Sequence, residues 1–301
     1  MARLAFFLCL LGFFVQPPES PAAELSVYVS IPPQKAFVQA LGGDHIRVQV
    51  MVQPGANPAT YEPKPSQLAG LTDSRLYLAI GVPFEKAWLE RFRSVQPKLQ
   101  VVHIDQNISK MDMPSAYQLK SGEDQRTTGQ SMQTHGKDPH IWLSPPLVKT
   151  LAQNIFRALA QADPEQAKTY KENLTAFLHH VEALDAELHQ MLAPFQGQAF
   201  LVFHPAWGYF ARTYDLRQVA VEVEGKAPKP QQLARLITFA RKENIQAIFV
   251  QPQFSAKSAR TIAREIGAEV ITADPLAQDW AANLRRQATT LRQILGDRSG
   301  T

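Results

Sequence analysis

Residues Pro164 to Leu192 read PEQAKTYKENLTAFLHHVEALDAELHQML, and the spacing within this stretch decides the fold. Leu174, Phe177, Leu178, Val181, Leu184, Leu188, Met191 and Leu192 follow one another mostly in steps of three and four. That period puts them on one face of a helix. At about 1.5 Å per residue the helix is roughly 40 Å long, enough to run the length of two lobes. The pattern alone leaves open whether it joins two domains or belongs wholly to one.

On either side the chain repeats itself in kind. Before the helix, short β-branched runs at Leu25–Ile31, Ile46–Val52, Leu76–Ile80 and Leu99–Ile104 are bounded by Gly, Pro, Asp or Asn, with helical patterns at Gln34–Leu41 and Pro65–Leu71. After it come strand candidates at Ala199–Phe203, Gln218–Val223, Gln246–Gln251 and Ala268–Thr272, with helices expected at Lys229–Glu243, Ala256–Ile266 and Leu276–Leu295. Alternation of strand and helix is the mark of an α/β domain with a mostly parallel sheet. The fold class expected is therefore α/β, with two similar lobes, residues 24–163 and 194–301, joined by a long rigid helix at 164–193.

Composition narrows the class. A chain of 301 residues with 45% hydrophobic and 19% charged residues is an ordinary globular protein, long enough for two domains. The net charge of +4 is spread without basic blocks or interleaved aromatics, which argues against a nucleic-acid surface. Arg3, the apolar run Leu4–Val15, then Pro17, Pro18, Ser20, Ala22 and Ala23 have the order of a secretory signal peptide, so residues 1–23 are expected to be removed on export. The run is too short to span a bilayer, which takes about 20 residues. The sole cysteine, Cys9, falls inside it, so the exported product is expected to be periplasmic and to contain no disulfide. Residues Ser115–Lys137 are polar and nearly devoid of apolar side chains, as in an exposed loop, and include His135.

Three constellations sit at strand ends or in the loops after them, where open α/β sheets bind ligands. The first is Asp138-Pro139-His140-Ile141-Trp142-Leu143-Ser144-Pro145, the second Phe203-His204-Pro205-Ala206-Trp207-Gly208-Tyr209-Phe210, and the third Thr272-Ala273-Asp274-Pro275-Leu276. Taken singly, His140 is a packed or surface histidine and Asp274 a helix cap. Taken together, two imidazoles and a carboxylate suit a borderline metal such as zinc. Spacing cannot prove that they converge. His179-His180-Val181-Glu182 does not reproduce the His-Glu-x-x-His metalloprotease motif and reads as a solvated helical face.

With Met51-Val52-Gln53-Pro54-Gly55-Ala56-Asn57-Pro58-Ala59-Thr60-Tyr61-Glu62-Pro63 and Val250-Gln251-Pro252-Gln253-Phe254-Ser255, these segments closely resemble the zinc- and manganese-binding proteins of bacterial metal ABC transporters. The resemblance runs from Leu25 to about Leu295. It implies two α/β lobes with the metal in the cleft between them, and metal ligands at His140, His204 and Asp274. Histidine at position 204 resembles the zinc-type members, with Mn(2+) a less favoured ligand than Zn(2+). It further implies a non-enzymatic, monomeric protein that hands its metal to an ABC transporter permease in the inner membrane and needs neither nucleotide nor nucleic acid.

One departure stands out: the family's usual histidine after proline is replaced by Ala59. Glu62 is the first substitute ligand and His135 the second, with Glu222 and Glu224 behind them. Glu62 could equally cap the following helix. Two other readings compete: a zinc-dependent hydrolase built on three ligands and an open position, and a surface adhesin with a relic site.

Overall fold

The computed structural model of the chain describes residues 24–113, 136–222, 228–254 and 256–297. The expected leader at 1–23, His135 and Glu224 lie outside them, as does most of the polar 115–137 segment.

The first half runs β1 (Leu25–Val29), α1 (Pro32–Gly42), β2 (Ile46–Val50), α2 (Pro65–Gly70), β3 (Leu76–Ala79), α3 (Glu85–Val95), β4 (Gln100–His103) and α4 (Pro145–Ala162). After α5 (Ala167–Leu192), the second half runs β5 (Ala199–Val202), α6 (Gly208–Thr213), β6 (Arg217–Ala220), α7 (Pro230–Lys242), β7 (Ala247–Val250), α8 (Ala256–Ile266), β8 (Glu269–Thr272) and α9 (Trp280–Asp297). The sheets are parallel throughout, with orders β2-β1-β3-β4 and β6-β5-β7-β8. The two orders are the same. β1, β3, β5 and β7 are buried along their whole length, as inner strands covered on both faces must be.

The long helix is α5, preceded by one 3₁₀ turn at Pro164–Gln166. Its buried side chains are Tyr170, Val181, Leu184, Leu188 and Leu192, while Leu174, Phe177, Leu178 and Met191 are partly buried against the same core. It touches both halves. Asn173 Nδ2 donates to Leu41 O of α1 at 2.9 Å, and Tyr214 OH of the second half donates to Asp185 Oδ1 at 3.0 Å. One apolar core runs through the first sheet, α4, α5, α9 and the inner face of the second sheet, and α7 and α8 cover a second core on that sheet's far side. Leu188 is fully buried in the shared core. Leu188→Ala is expected to cost about 2–5 kcal/mol, read as a lower urea midpoint with an unchanged slope.

The structure shifts some boundaries. β1 stops at Val29 because Pro32 and Pro33 open α1, and β6 stops at Ala220, short of the expected Val223. The last helix starts at Trp280, four residues after Leu276. Asp279 caps it, its Oδ1 accepting from Ala282 N at 3.4 Å, while Asp274 closes a turn by accepting from Leu276 N at 2.9 Å. The capping role expected for Asp274 therefore belongs to Asp279. Three helices, α3, α4 and α6, fall where the sequence reading assigned none.

Tryptophans fasten the halves together. Trp142 Nε1 donates to Pro275 O at 2.7 Å, and Trp280 Nε1 donates to Trp142 O at 2.6 Å. Trp280 also meets Phe37 of α1 edge-on, with centroids 5.2 Å apart. Among the described residues no helix is long and apolar enough to cross a membrane.

Candidate metal centre

In each sheet the strand order reverses beside the first strand, between β1 and β3 and again between β5 and β7. Such switch points leave a crevice at the carboxyl ends of the strands, because the connections on either side depart in opposite directions. His204 follows β5 and Gln251 follows β7, so both stand at the second crevice. They are tied together there: Gln251 Nε2 donates to His204 O at 2.6 Å and its Oε1 accepts from His204 N at 3.2 Å.

The first crevice is fixed by a buried carboxylate. Glu85 accepts from Ser30 Oγ at 2.5 Å, Ile80 N at 2.9 Å and Gly81 N at 2.7 Å, which joins the ends of β1 and β3. Burial pushes its carboxyl up, against the pull of those donors. Gly81 has φ +88°, and a Cβ there would fall 2.1 Å from Lys110 Nζ, so the turn demands glycine. The next residues, Val82 and Pro83, form a wall, and Phe84 N donates to Pro58 O at 3.2 Å to hold the loop of Ala59 beside it.

A cavity of about 140 Å³ lies between the two crevices, with Pro58, Ala59, Val82 and Pro83 on one side and His140, His204 and Phe254 among the other lining residues. The two imidazole centroids are 5.4 Å apart and their planes 69° apart. An imidazole nitrogen at about 2.0–2.1 Å from zinc puts its ring centroid roughly 3.2 Å from the ion, so two rings at a tetrahedral angle sit roughly 5 Å apart. The observed spacing is of that size.

Each ring is also held from behind. Asp138 Oδ1 accepts from both His140 N, at 2.9 Å, and His140 Nδ1, at 2.7 Å. Glu222 Oε1 lies 2.6 Å from His204 Nδ1, and Phe254 stacks on the His204 ring at 4.9 Å and 22°. A carboxylate on Nδ1 fixes the tautomer with the proton there, which leaves Nε2 as the unprotonated donor. The carboxylates are buried, and Asp138 Oδ2 and Glu222 Oε2 have no hydrogen-bond partner among the described residues. A Cβ at Gly208 would stand 3.3 Å from Asp138 Oδ2, so this glycine gives the carboxylate its room.

The other expected residues are placed differently. Asp274 Oδ1 accepts from Gln253 Nε2 at 2.9 Å, and the residue lines a neighbouring groove with Lys35 and Gln49. Glu62 is exposed and does not line the cavity, nor does it cap α2, whose first residues follow Lys64. Ala59 does line it. Glu222 supports His204 from behind. Among the described residues no group of three or more His, Cys, Asp or Glu side chains is placed to hold a metal.

A family model described as zinc-uptake complex component A, periplasmic, and named ZnuA, matches residues 27–294. The chain belongs to the ZnuA family. A crystal structure of ZnuA is 41% identical, with a TM-score of 0.81, covering 90% of this chain and 99% of the other. A deletion mutant of ZnuA with zinc bound is 42% identical at the same TM-score, covering 90% and 97%. A putative metal-binding protein of Treponema pallidum is 29% identical over 258 residues, 83% of this chain and 78% of its own length. The chain spans about half the length, 50%, of the zinc-binding lipoprotein AdcA of Streptococcus pneumoniae, to which it is 25% identical over 255 residues.

Within this ZnuA-family chain, burial holds the His204 imidazole below its ordinary range, with the nearby His140 acting in the same direction and the Glu222 hydrogen bond opposing both. His204 is therefore neutral at neutral pH, the form that binds metal. The supporting role of Asp138 and Glu222 is what the sequence reading missed at this site. For Asp138 a signal existed, a carboxylate two residues before a histidine. Glu222 is 18 residues from His204, and only the pairing of β5 with β6 brings them together. Glu222→Gln keeps an acceptor but removes the charge, and zinc affinity measured by chelator competition is expected to fall about 10–100-fold.

Proposed function

We propose that this chain is a periplasmic solute-binding protein that captures a zinc ion between its lobes and delivers it to the permease of an ABC transporter in the inner membrane. On this reading residues 1–23 are the export signal, 24–163 and 194–301 the lobes, 164–193 the connecting helix, and the product acts as a monomer. The observation that carries it is the pair of imidazoles, each braced at Nδ1 by a buried carboxylate and both lining one cavity. Nitrogen donors favour zinc over manganese, which binds more weakly to such sites and prefers oxygen.

His140 and His204 are the two primary ligands. Asp274 is the third, its carboxylate leaving Gln253 to reach the ion; Glu62, exposed and off the cavity lining, can substitute for the histidine that Ala59 replaces only if its loop moves inward. The competing hydrolase needs a general base at a metal-bound water, and Glu222 and Asp138 are both committed to histidine Nδ1 atoms. Zinc titration and hydrolysis of ester and peptide substrates on the same purified protein test the reading. Tight binding without turnover is expected, and turnover would overturn it.

The pH dependence follows from His204. Its folded pKa is lowered, so as pH falls the unfolded chain takes up this proton first. The stability it contributes is present above about 6.5, the ordinary imidazole value, and is lost as pH falls through the lower folded value. Zinc competes with the same proton. Affinity is expected to stay nearly level down to about pH 6.5 and to weaken only below it, as pH falls through the lowered value of His204, by up to about a decade per pH unit for that proton. Titration in metal-buffered solution from pH 8 to about 5 reads this out, and steep weakening already above about pH 7.5 would contradict the assignment of His204 as a neutral ligand.

A further inference from the structure

We propose that Gln253 is a positioning residue for zinc capture: its side-chain amide holds the Asp274 carboxylate outside the metal cavity, so that each binding event exchanges this hydrogen bond for the ion and each release restores it. This rests on the reading of Asp274 as the third ligand given above.

The two residues straddle the edge of the cavity. Gln253, Pro275 and Leu276 line it, whereas Asp274 lines the neighbouring groove, and Leu276 borders both. Gln253 Nε2 donates to Asp274 Oδ1 at 2.9 Å, and Leu276 N donates to the same oxygen at 2.9 Å. The carboxylate is thus one hydrogen bond away from a residue of the cavity wall.

Three hydrogen bonds fix the main chain around Asp274. Ala273 N donates to Val250 O at 2.9 Å, Asp274 O accepts from Asn283 Nδ2 at 2.8 Å, and Pro275 O accepts from Trp142 Nε1 at 2.7 Å. A carboxylate on a fixed backbone changes place by rotating between staggered side-chain conformations, not by sliding a loop. Its positions are therefore discrete, and the one occupied in the structure is beside Gln253.

Gln253 is held independently of Asp274. Gln251 bonds both backbone groups of His204, Phe254 N donates to Gln251 O at 3.1 Å to close a turn around Gln253, and Phe254 stacks on the His204 ring at 4.9 Å. The short segment 251–254 thus serves both ligands of the second lobe, fixing His204 and holding Asp274 back. The amide stays in place when the carboxylate leaves and takes it up again when the ion departs.

The amide and the ion compete for one carboxylate. A hydrogen bond to an ionised acceptor is about twice as strong as a neutral one, and it is lost when the carboxylate turns to the ion. The apparent affinity for zinc is lowered in proportion to the fraction of molecules in which Asp274 is free to bind. Removing the donor raises that fraction.

The test is a double-mutant cycle read by zinc affinity in chelator competition. Gln253→Leu keeps the bulk and removes the amide, and is expected to tighten zinc binding about five- to tenfold, the scale of a partly exposed hydrogen bond to a charged group. In the background of Asp274→Asn, whose side-chain oxygen can still accept from Leu276 N, the same substitution should change affinity by less than about twofold, as for independent sites. A change in the shape of the wall alone would act alike in both backgrounds. A crystal structure of the zinc-loaded parent should show the Gln253 to Asp274 hydrogen bond broken. An equal gain in both backgrounds, no gain in the parent, or a carboxylate that binds the ion with this hydrogen bond intact would each overturn the proposal and leave the zinc reading standing. Asp274→Asn binding zinc as tightly as the parent would overturn the proposal together with the third-ligand role, and absence of zinc binding in the parent would overturn the zinc reading as well.

Discussion

His140→Ala and His204→Ala are each expected to weaken zinc binding by about a hundredfold or more, which is about 2.7 kcal/mol. The loss should exceed that of Glu222→Gln, because a bracing carboxylate only aims the donor whereas each imidazole is the donor itself. His140 is nearly buried and its removal strands the Asp138 carboxylate, which pairs with no Lys or Arg among the described residues. A fold defect could then mimic a ligand defect. His140→Asn retains a side-chain amide that can donate toward Asp138, and its zinc affinity should fall as far as that of His140→Ala while its thermal midpoint stays closer to the parent. Near-parent affinity in both His140 variants would remove His140 from the site.

Ala59→His should act in the opposite direction. Ala59 lines the cavity opposite the two histidines, and its loop is held by the Phe84 to Pro58 hydrogen bond, so a third imidazole would enter from a wall that is already fixed. Adding a protein ligand at position 59 completes more of the tetrahedral set, and zinc affinity is expected to rise at least tenfold, about 1.4 kcal/mol. Calorimetric titration against a competing chelator measures it. Unchanged or weaker binding would show that position 59 does not face the ion.

Much of this architecture was legible before any coordinates. Both sheets lie where β-branched runs lie, and α5 buries Val181, Leu184, Leu188 and Leu192 as their spacing required, because periodicity records which face meets a core. What escaped was local. α4 begins Pro145-Pro146, and prolines that look like loop residues are also well suited to the first turn of a helix, where their missing N–H has no partner to lose. At the end of the chain two aspartates, Asp274 and Asp279, compete as caps five residues apart, and only the hydrogen bonds decide between them.

The site divides along the same line. His140 and His204 stood out because each sits beside a proline and an aromatic residue at the end of a strand or in a loop. Their convergence depends on Trp142 and Trp280 locking one half to the other, contacts more than 130 residues apart in sequence. The hydrogen bond from Gln253 to Asp274 could not be read from spacing, since β7 and β8 carry those residues to the same edge. The absence of a side-chain ligand at Ala59 was legible from one letter. Its consequence, an open cavity wall, needed the neighbouring Pro58, Val82 and Pro83.

The central claim is that one ion sits between His140 and His204. Anomalous diffraction from a zinc-soaked crystal, collected on both sides of the zinc absorption edge, tests it most directly. The account predicts a single strong peak in the cavity at about 2.0–2.1 Å from both Nε2 atoms. A peak elsewhere, or none between the two imidazoles at saturating zinc, would contradict it.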